Sequence, residues 1–593
     1  MAGFLERYDV WKFLPMDQGG RLVQLTLIGS ERDADIVAAV RRPGFFEQWG
    51  KRGVWDALED IEREKSVWLN RWYFLPCFAR LYSQTGDESY LRELLDFVTR
   101  WWDDNPLPED LPAYFATRRY NWRDMQVAWR THNLIWAYFL VRPGLNAAED
   151  AFLRELIEIH GRVLLSYFGA QELHENNHQS HGALAMLYVG ALFPDFDLSP
   201  TLVARSLKIL DHHLEHAFLP DGNSLELCPG YYPFIVSIFR DAYLLCLANE
   251  IPPPARSVER LRQFRDYLQA VAQPDGTVPP INDSSEMDAK LPLAIFNEIL
   301  SDRAKGGGSR WFEHSGQAVM RGGNWYAFLD AGPTMLWHWH GGKLGFHLWY
   351  QGEPILVDSG ICNYDDPLRL SWYCTPAAHN TLLVDGLGDR AREDIPFAEK
   401  ASAGCRVVDW QSNEQYDFAT LRHEGLPTSV GAVQWVRHFL LLKDNFFLIV
   451  DRVLSDAEHD YTWLFHFNPG EVWPHGDGVR TAFARGNVDL VAATGGCSPA
   501  LSLGEGQVNR RGLNTAAAVA RFSGRAAATV EAFAVVPVGE VEPSIELITT
   551  DATGAIRVKV TTAQGLVTIE LPALSLAPNS SKPIPIFVSE SHS

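Results

Sequence analysis

The sequence predicts a two-part α+β multidomain fold, a toroid-like ring of helical hairpins followed by an antiparallel β-sandwich. Up to about residue 300 the apolar residues recur with a helical period, and beyond it they alternate or gather in short β-branched and aromatic runs. At 593 residues the chain also exceeds what one hydrophobic core serves. Two large domains, 1–300 and 311–593, match the change of period, with the polar, glycine-rich SDRAKGGGSR at 301–310 as the linker.

In the first part, YLRELLDFVTRWW, EDAFLRELIEIHGRVLLSYF and TLVARSLKILDHHLEHAF each place apolar residues at i, i+3 and i+4 between Pro, Gly and Asp turns. Helices of this kind in series pair as hairpins that pack into a barrel or toroid. In the second part, WYAFLDAG, VQWVRHFLLL, FFLIVDRVL, IRVKVTT and GLVTIELPAL read as strands, with KDN at Lys443 to Asn445 as a hairpin turn. An antiparallel sandwich is the natural packing for such strands.

Composition narrows the function. A net charge of -22, with no basic cluster, argues against a nucleic-acid partner, since phosphate neutralisation needs gathered Lys and Arg. An acidic sugar stays compatible, because a cleft can be locally positive inside a negative molecule. The aromatic complement of 20 Trp, 19 Tyr and 32 Phe supplies flat faces for sugars, although most such rings belong to cores. Seven dispersed cysteines without a CxxC pair read as reduced thiols. With no leader-like stretch in MAGFLERYDVWKFLPMDQGG and no apolar run long enough to span a bilayer, the expectation is a cytoplasmic protein without a membrane partner. A leader preceding this sequence would make it secreted or periplasmic. The oligomeric state is not legible.

The densest chemistry lies between Trp337 and Gly386, in WHWHGGKLGFHLWYQGEPILVDSGICNY and AAHNTLLVDG. If WHWH is a strand, His338 and His340 share one face; Asp358 closes PILVD and His379 opens HNTLLVD. Imidazole and carboxylate donors suit zinc, and satisfied core histidines are the alternative. In the helical part, Asn176, Asn177, His178 and His181 precede an apolar helix, where free N–H groups and the helix dipole can hold an anion; Asn177 as a plain helix cap is the alternative. PDGNSLELCPGYYPF offers Glu226, Tyr231 and Tyr232. Trp122, Gln126 and Arg130, at i, i+4 and i+8, share one helical face, and Arg130 there serves either a substrate carboxylate or a structural ion pair.

Together, the Asn177-His178 pair, the GYY some fifty residues later, HxH followed by VDSG and Tyr364, and HNTLLVDG resemble the heparinase II/III-type polysaccharide lyases, over roughly Trp122 to His466. The resemblance implies an incomplete α/α toroid followed by an antiparallel β-sandwich, and β-elimination of uronate-containing polysaccharides such as alginate and glycosaminoglycans. By position, Asn177 and His178 would neutralise the uronate carboxylate, Tyr231 would exchange the catalytic proton and His338 would project into the cleft. His340, Asp358 and His379 would hold a structural divalent metal, zinc fitting best, with no organic cofactor. Trp122, Gln126, Arg130, Glu226 and Tyr232 would line the substrate path. One departure stands out: the family often continues HxHxD, and Gly342 holds the place of that aspartate here.

Tyrosine near its reference pKa of about 10 is a ready acid and needs surrounding cations to act as base; otherwise His338 or His178 takes that role. Two rival functions remain at this level. A hydrolase would pair Glu226 with Asp283 across a cleft, and a non-catalytic carbohydrate-binding scaffold would use the aromatics alone.

Overall fold

In this computed structural model the described residues are 33–42, 70–117, 119, 121–300, 302, 304, 306–333, 338–362, 364, 366–388, 405–423, 433–510, 512–549, 551–573 and 586–591. The amino-terminal segment read for a leader, part of the linker and Trp337 lie outside them. Helices follow one another from Asp33–Val40 to Lys290–Ile299, and the first strand begins at Arg310. The three helical stretches singled out above form the helices Glu88–Asp104, Ala147–Leu164 and Ser199–His216.

The helix Asn177–Leu192 has His178 as its one residue outside the buried class, because other helices cover it on every side. It packs against Asp124–Val141, Ser199–His216 and Tyr232–Ala248, which makes it the inner wall of the toroid. A helix buried all round in this way belongs inside a ring rather than on a surface.

The sheets stack in three layers. Five strands in chain order, Arg310–Phe312, Gln317–Gly322, Trp325–Asp330, Gly345–Tyr350 and Glu353–Leu356, form an antiparallel sheet. Its Phe312, Val319, Tyr326 and Phe328 join the helical core, while Ala318, Met320, Ala327 and Leu329 face a ten-stranded sheet. At the centre of that larger sheet, Phe446–His466 pairs with Gln434–Leu442 and Leu513–Pro537. Phe439 and Leu441 point toward the five-stranded sheet, and Leu440 and Leu442 toward a third sheet of Ser544–Thr549, Ile556–Thr562, Gly565–Leu571 and Phe587–Ser591. Burial on both faces explains why QWVRHFLLL and FFLIVDRV carry consecutive apolar residues instead of alternating with polar ones, with Arg437 and Asp451 buried as a pair. Lys443 to Asn445 make the turn between them, with Asp444 at φ 66°. No helix among the described residues is long and apolar enough to cross a membrane.

Candidate active site

The site forms where the toroid meets the five-stranded sheet, around the segment Asn282 to Ser285. Three loops dock on it. Gly230 donates its N–H to Ser284 Oγ at 2.9 Å, and a Cβ there would come within 2.7 Å of the Ser284 side chain, so only glycine lets CPGYY approach this closely. Gly360 of VDSG, at φ 54°, lies against the Ser284 carbonyl, and Ile361 N–H donates to that carbonyl at 3.0 Å. From the third loop, His338 O accepts from Asp283 N–H at 3.0 Å and His340 N–H donates to Asn282 Oδ1 at 3.1 Å.

These loops bring a chain of polar groups together. The Tyr231 hydroxyl donates to Tyr364 Oη at 2.8 Å, and Tyr364 Oη lies 2.8 Å from His338 Nδ1. The His338 ring also stacks on Tyr231 with centroids 4.7 Å apart. His338 Nδ1 is 3.0 Å from Asp283 Oδ2, and its Nε2 is 3.8 Å from Glu226 Oε2. Arg369 donates to the same Asp283 oxygen at 3.0 Å and lies over the Tyr364 ring at 4.5 Å. Burial would lower the pKa of His338, but the Asp283 hydrogen bond and the Glu226 charge raise it, favouring the imidazolium. Burial raises Glu226, while Asp283 stays well below the usual carboxylate range despite its own burial because His338 and His340 both bond it.

At the toroid end, Asn176 rather than Asn177 is the helix cap, its side chain accepting from His178 N–H at 2.8 Å. Asn177 is buried beside Glu226 and lines the same small cavity, together with Ser180 and His213. His178 keeps its ring 45% exposed, with Nδ1 2.7 Å from Asp124 Oδ1. It is thus open to an incoming anion.

Several sequence expectations require correction. WHWH is not a strand at His338 and His340: His338 sits at φ 70°, so the two rings approach opposite oxygens of one carboxylate, His340 Nε2 lying 2.9 Å from Asp283 Oδ1. Tyr232 is fully buried, its hydroxyl donating to the Gly222 carbonyl at 2.6 Å. Trp122, Gln126 and Arg130 face the helical core instead of a substrate path. Arg130 donates to His160 Nε2, Asn70 O and Asn121 O and lies over the rings of Trp72, Trp101 and Trp122, an environment that satisfies a guanidinium without solvent. Gln126 Oε1 accepts from Arg71 at 3.3 Å. Asp124 and Arg369 carry no motif that would have singled them out; Asp283 was visible only as a hydrolase carboxylate.

The candidate metal ligands His340, Asp358 and His379 lie side by side, the His340 and His379 ring centroids 5.4 Å apart. Asp358 Oδ2 lies 2.8 Å from His379 Nδ1, and His379 Nε2 is taken by the Tyr373 carbonyl at 3.0 Å, so these two residues satisfy one another. His340 also joins Asp283 and Cys374, the donor atoms of the three all lying within 4.8 Å of one another in a buried cluster. The His340 Nδ1 is buried without a hydrogen-bond partner. Such N, O and S donors form a group that can hold a metal ion. Gly342 packs against His379 so closely that a Cβ would come within 2.7 Å of its ring, which leaves no room for an aspartate side chain.

Comparison with known proteins gives concordant results. A family model described as Heparinase II/III N-terminus matches residues 44–303, and one described as Heparinase II/III-like, C-terminal, matches 304–560. A heparin-sulfate lyase of Pedobacter heparinus is 22% identical over 445 residues, covering 70% of this chain and 64% of that protein. One from Bacteroides thetaiotaomicron is 23% identical over 493 residues, covering 72% and 65%. The chain therefore spans slightly less than two thirds of the length of these relatives. A crystal structure of heparinase III superposes with TM-score 0.73 at 18% identity, covering 85% of this chain and 83% of that one. A heparan sulfate lyase structure from Pedobacter heparinus gives 0.61 at 20%, covering 89% and 86%. At these identities the structures establish the toroid and sandwich architecture.

Proposed function

Since the chain belongs to the heparinase II/III family, we propose that it is a polysaccharide lyase that cleaves a uronate-containing glycosaminoglycan by β-elimination. The observation that carries this reading is the Tyr231–Tyr364–His338 chain beside an exposed His178 at a helix N-terminus.

In the proposed reaction the uronate carboxylate lies against His178 and Asn177, whose N–H groups and charge make the neighbouring C5 proton more acidic. A donor placed to meet developing charge is worth about 3 to 4 kcal/mol. Tyr231, linked through Tyr364 to His338, exchanges the proton: it leaves C5, the C4–O4 bond breaks, O4 is protonated, and a C4=C5 double bond remains. The His338 imidazolium stacked on Tyr231 favours the phenolate form that abstraction requires. Tyr231 serves as acid in either case.

The hydrolase alternative loses its footing on geometry. Glu226 and Asp283 are both buried and both face the one His338 ring, which occupies the space between them where a sugar would have to sit. The decisive measurement is absorbance of the conjugated unsaturated product across heparan-type, other glycosaminoglycan and alginate chains. Saturated ends carrying oxygen from labelled water would restore the hydrolase.

A metal at Asp283, His340 and Cys374 would fix the cleft wall that carries His338; elimination needs no metal-activated water. Zinc added to metal-free protein is expected to raise the melting temperature, as for any ligand that binds the folded state, and Cys374→Ser to abolish that response. No transition metal by elemental analysis and no thermal response to zinc would remove the metal and leave the lyase reading intact.

A further inference from the structure

We propose that Asp124 is a positioning residue for this reaction: its carboxylate fixes the proton on His178 Nδ1 and the orientation of the ring, so that Nε2 is the nitrogen that meets the substrate carboxylate. This rests on the lyase reading of the site and assigns a partner to one of its residues.

Three observations support it. The contact is long-range and direct, at 2.7 Å between residues 54 apart on two helices that form adjacent walls of the toroid. Asp124 is the more enclosed partner, its side chain 18% exposed against 45% for His178, so the pair presents the imidazole outward. Its backbone is also unusual. Asp124 opens the helix Asp124–Val141 at φ 61°, a left-handed conformation that asparagine, aspartate and glycine tolerate best. Strain of this kind persists where the surroundings hold a side chain in one place, and here that side chain is on His178.

The charges around the pair are consistent with this role. Burial would raise the pKa of Asp124, but the His178 charge and hydrogen bond, the Met125 N–H and the Arg71 guanidinium lower it, so it is an anion at neutral pH. The other titratable groups that act on His178 or Asp124 are His174 and His181, both lowered by burial and thus neutral, and Glu226 across the site. An ionised carboxylate can only accept, so the Nδ1 position must carry a proton. With Nδ1 so engaged, Nε2 is the ring nitrogen left to face the substrate.

Asp124→Asn keeps the left-handed backbone and removes the charge; Asp124→Gly keeps the backbone and removes the side chain. Both are expected to fold normally and to lose about 10²-fold in kcat/KM at neutral pH, by analogy with the loss of one donor or of one orienting carboxylate. In Asp124→Asn the amide can offer the ring either its oxygen or its N–H, so the proton on Nδ1 is no longer fixed. Unchanged kcat/KM in both variants, with only a lower melting temperature, would reduce Asp124 to a structural role. The ¹⁵N spectrum of histidine-labelled protein, with His178 assigned by His178→Gln, tests the pairing without turnover. The Nδ1-bound proton signal should be present in the unaltered protein and lost in Asp124→Gly, and an unchanged signal overturns the proposal even if no uronan is cleaved. Absence of unsaturated product from the unaltered protein would instead count against the lyase reading alone.

Discussion

Tyr231→Phe is expected to lower kcat at least about 10³-fold while leaving the melting temperature and oligosaccharide binding nearly unchanged. General acid–base catalysis by one placed group contributes about 10² to 10⁴, and Tyr231 is here assigned both proton steps. The substitution removes one oxygen. The ring keeps its stacking on His338, and Tyr364 keeps its contact with His338 Nδ1. Tyr232→Phe is the internal control, since its hydroxyl bonds the Gly222 carbonyl inside the toroid. Loss of that bond should cost about 1 kcal/mol of stability and little activity. Steady-state kinetics and thermal melts of the two variants decide the matter. A dead Tyr232→Phe beside an active Tyr231→Phe would move the catalytic tyrosine by one position.

Much of the architecture was legible in the sequence because periodicity reports directly on which face is buried. The switch from helical to strand period near residue 300 and the consecutive apolar residues of FFLIV both follow from layers stacked on each other. The proton-carrying groups were legible as residue types near glycines. Their geometry was not, because it depends on backbone conformations that a strand or helix template does not contain. His338 at φ 70° puts His338 to His340 in a loop against Asp283, which changes the partners of both histidines. Asp124 at φ 61° hides between residues of a helical pattern and reaches His178 through a contact no local signal announces. Arg130 misled for the opposite reason. A helical face of Trp, Gln and Arg looks like a sugar platform, but three surrounding indoles and two carbonyls make it a satisfied core cluster.

Arg437→Met is expected to be among the most destabilising single changes, by about 3 to 5 kcal/mol, because it strands a buried carboxylate. Arg437 and Asp451 stand opposite one another on the paired central strands and are both fully buried. The guanidinium donates twice to Asp451, each bond 2.8 Å, and a third bond to that carboxylate comes from Trp435 Nε1 at 2.9 Å. Its remaining arm reaches the carbonyls of Leu344 at 3.1 Å and Asn380 at 3.0 Å. Those carbonyls belong to the segments just after His340 and His379, so this ion pair ties the central sheet to the loops that form the site wall. Removing only the arginine leaves the Asp451 charge with one donor. Arg437→Met combined with Asp451→Leu removes both charges and should recover most of the loss, since a buried pair replaced by apolar groups of similar size is often close to neutral. The two orphaned carbonyls would remain, so kcat should recover less completely than stability as the histidine loops loosen. Denaturant unfolding of the two single variants and the double variant measures the coupling directly. A single Arg437→Met change as mild as the double replacement would mean that the pair contributes little to holding the wall.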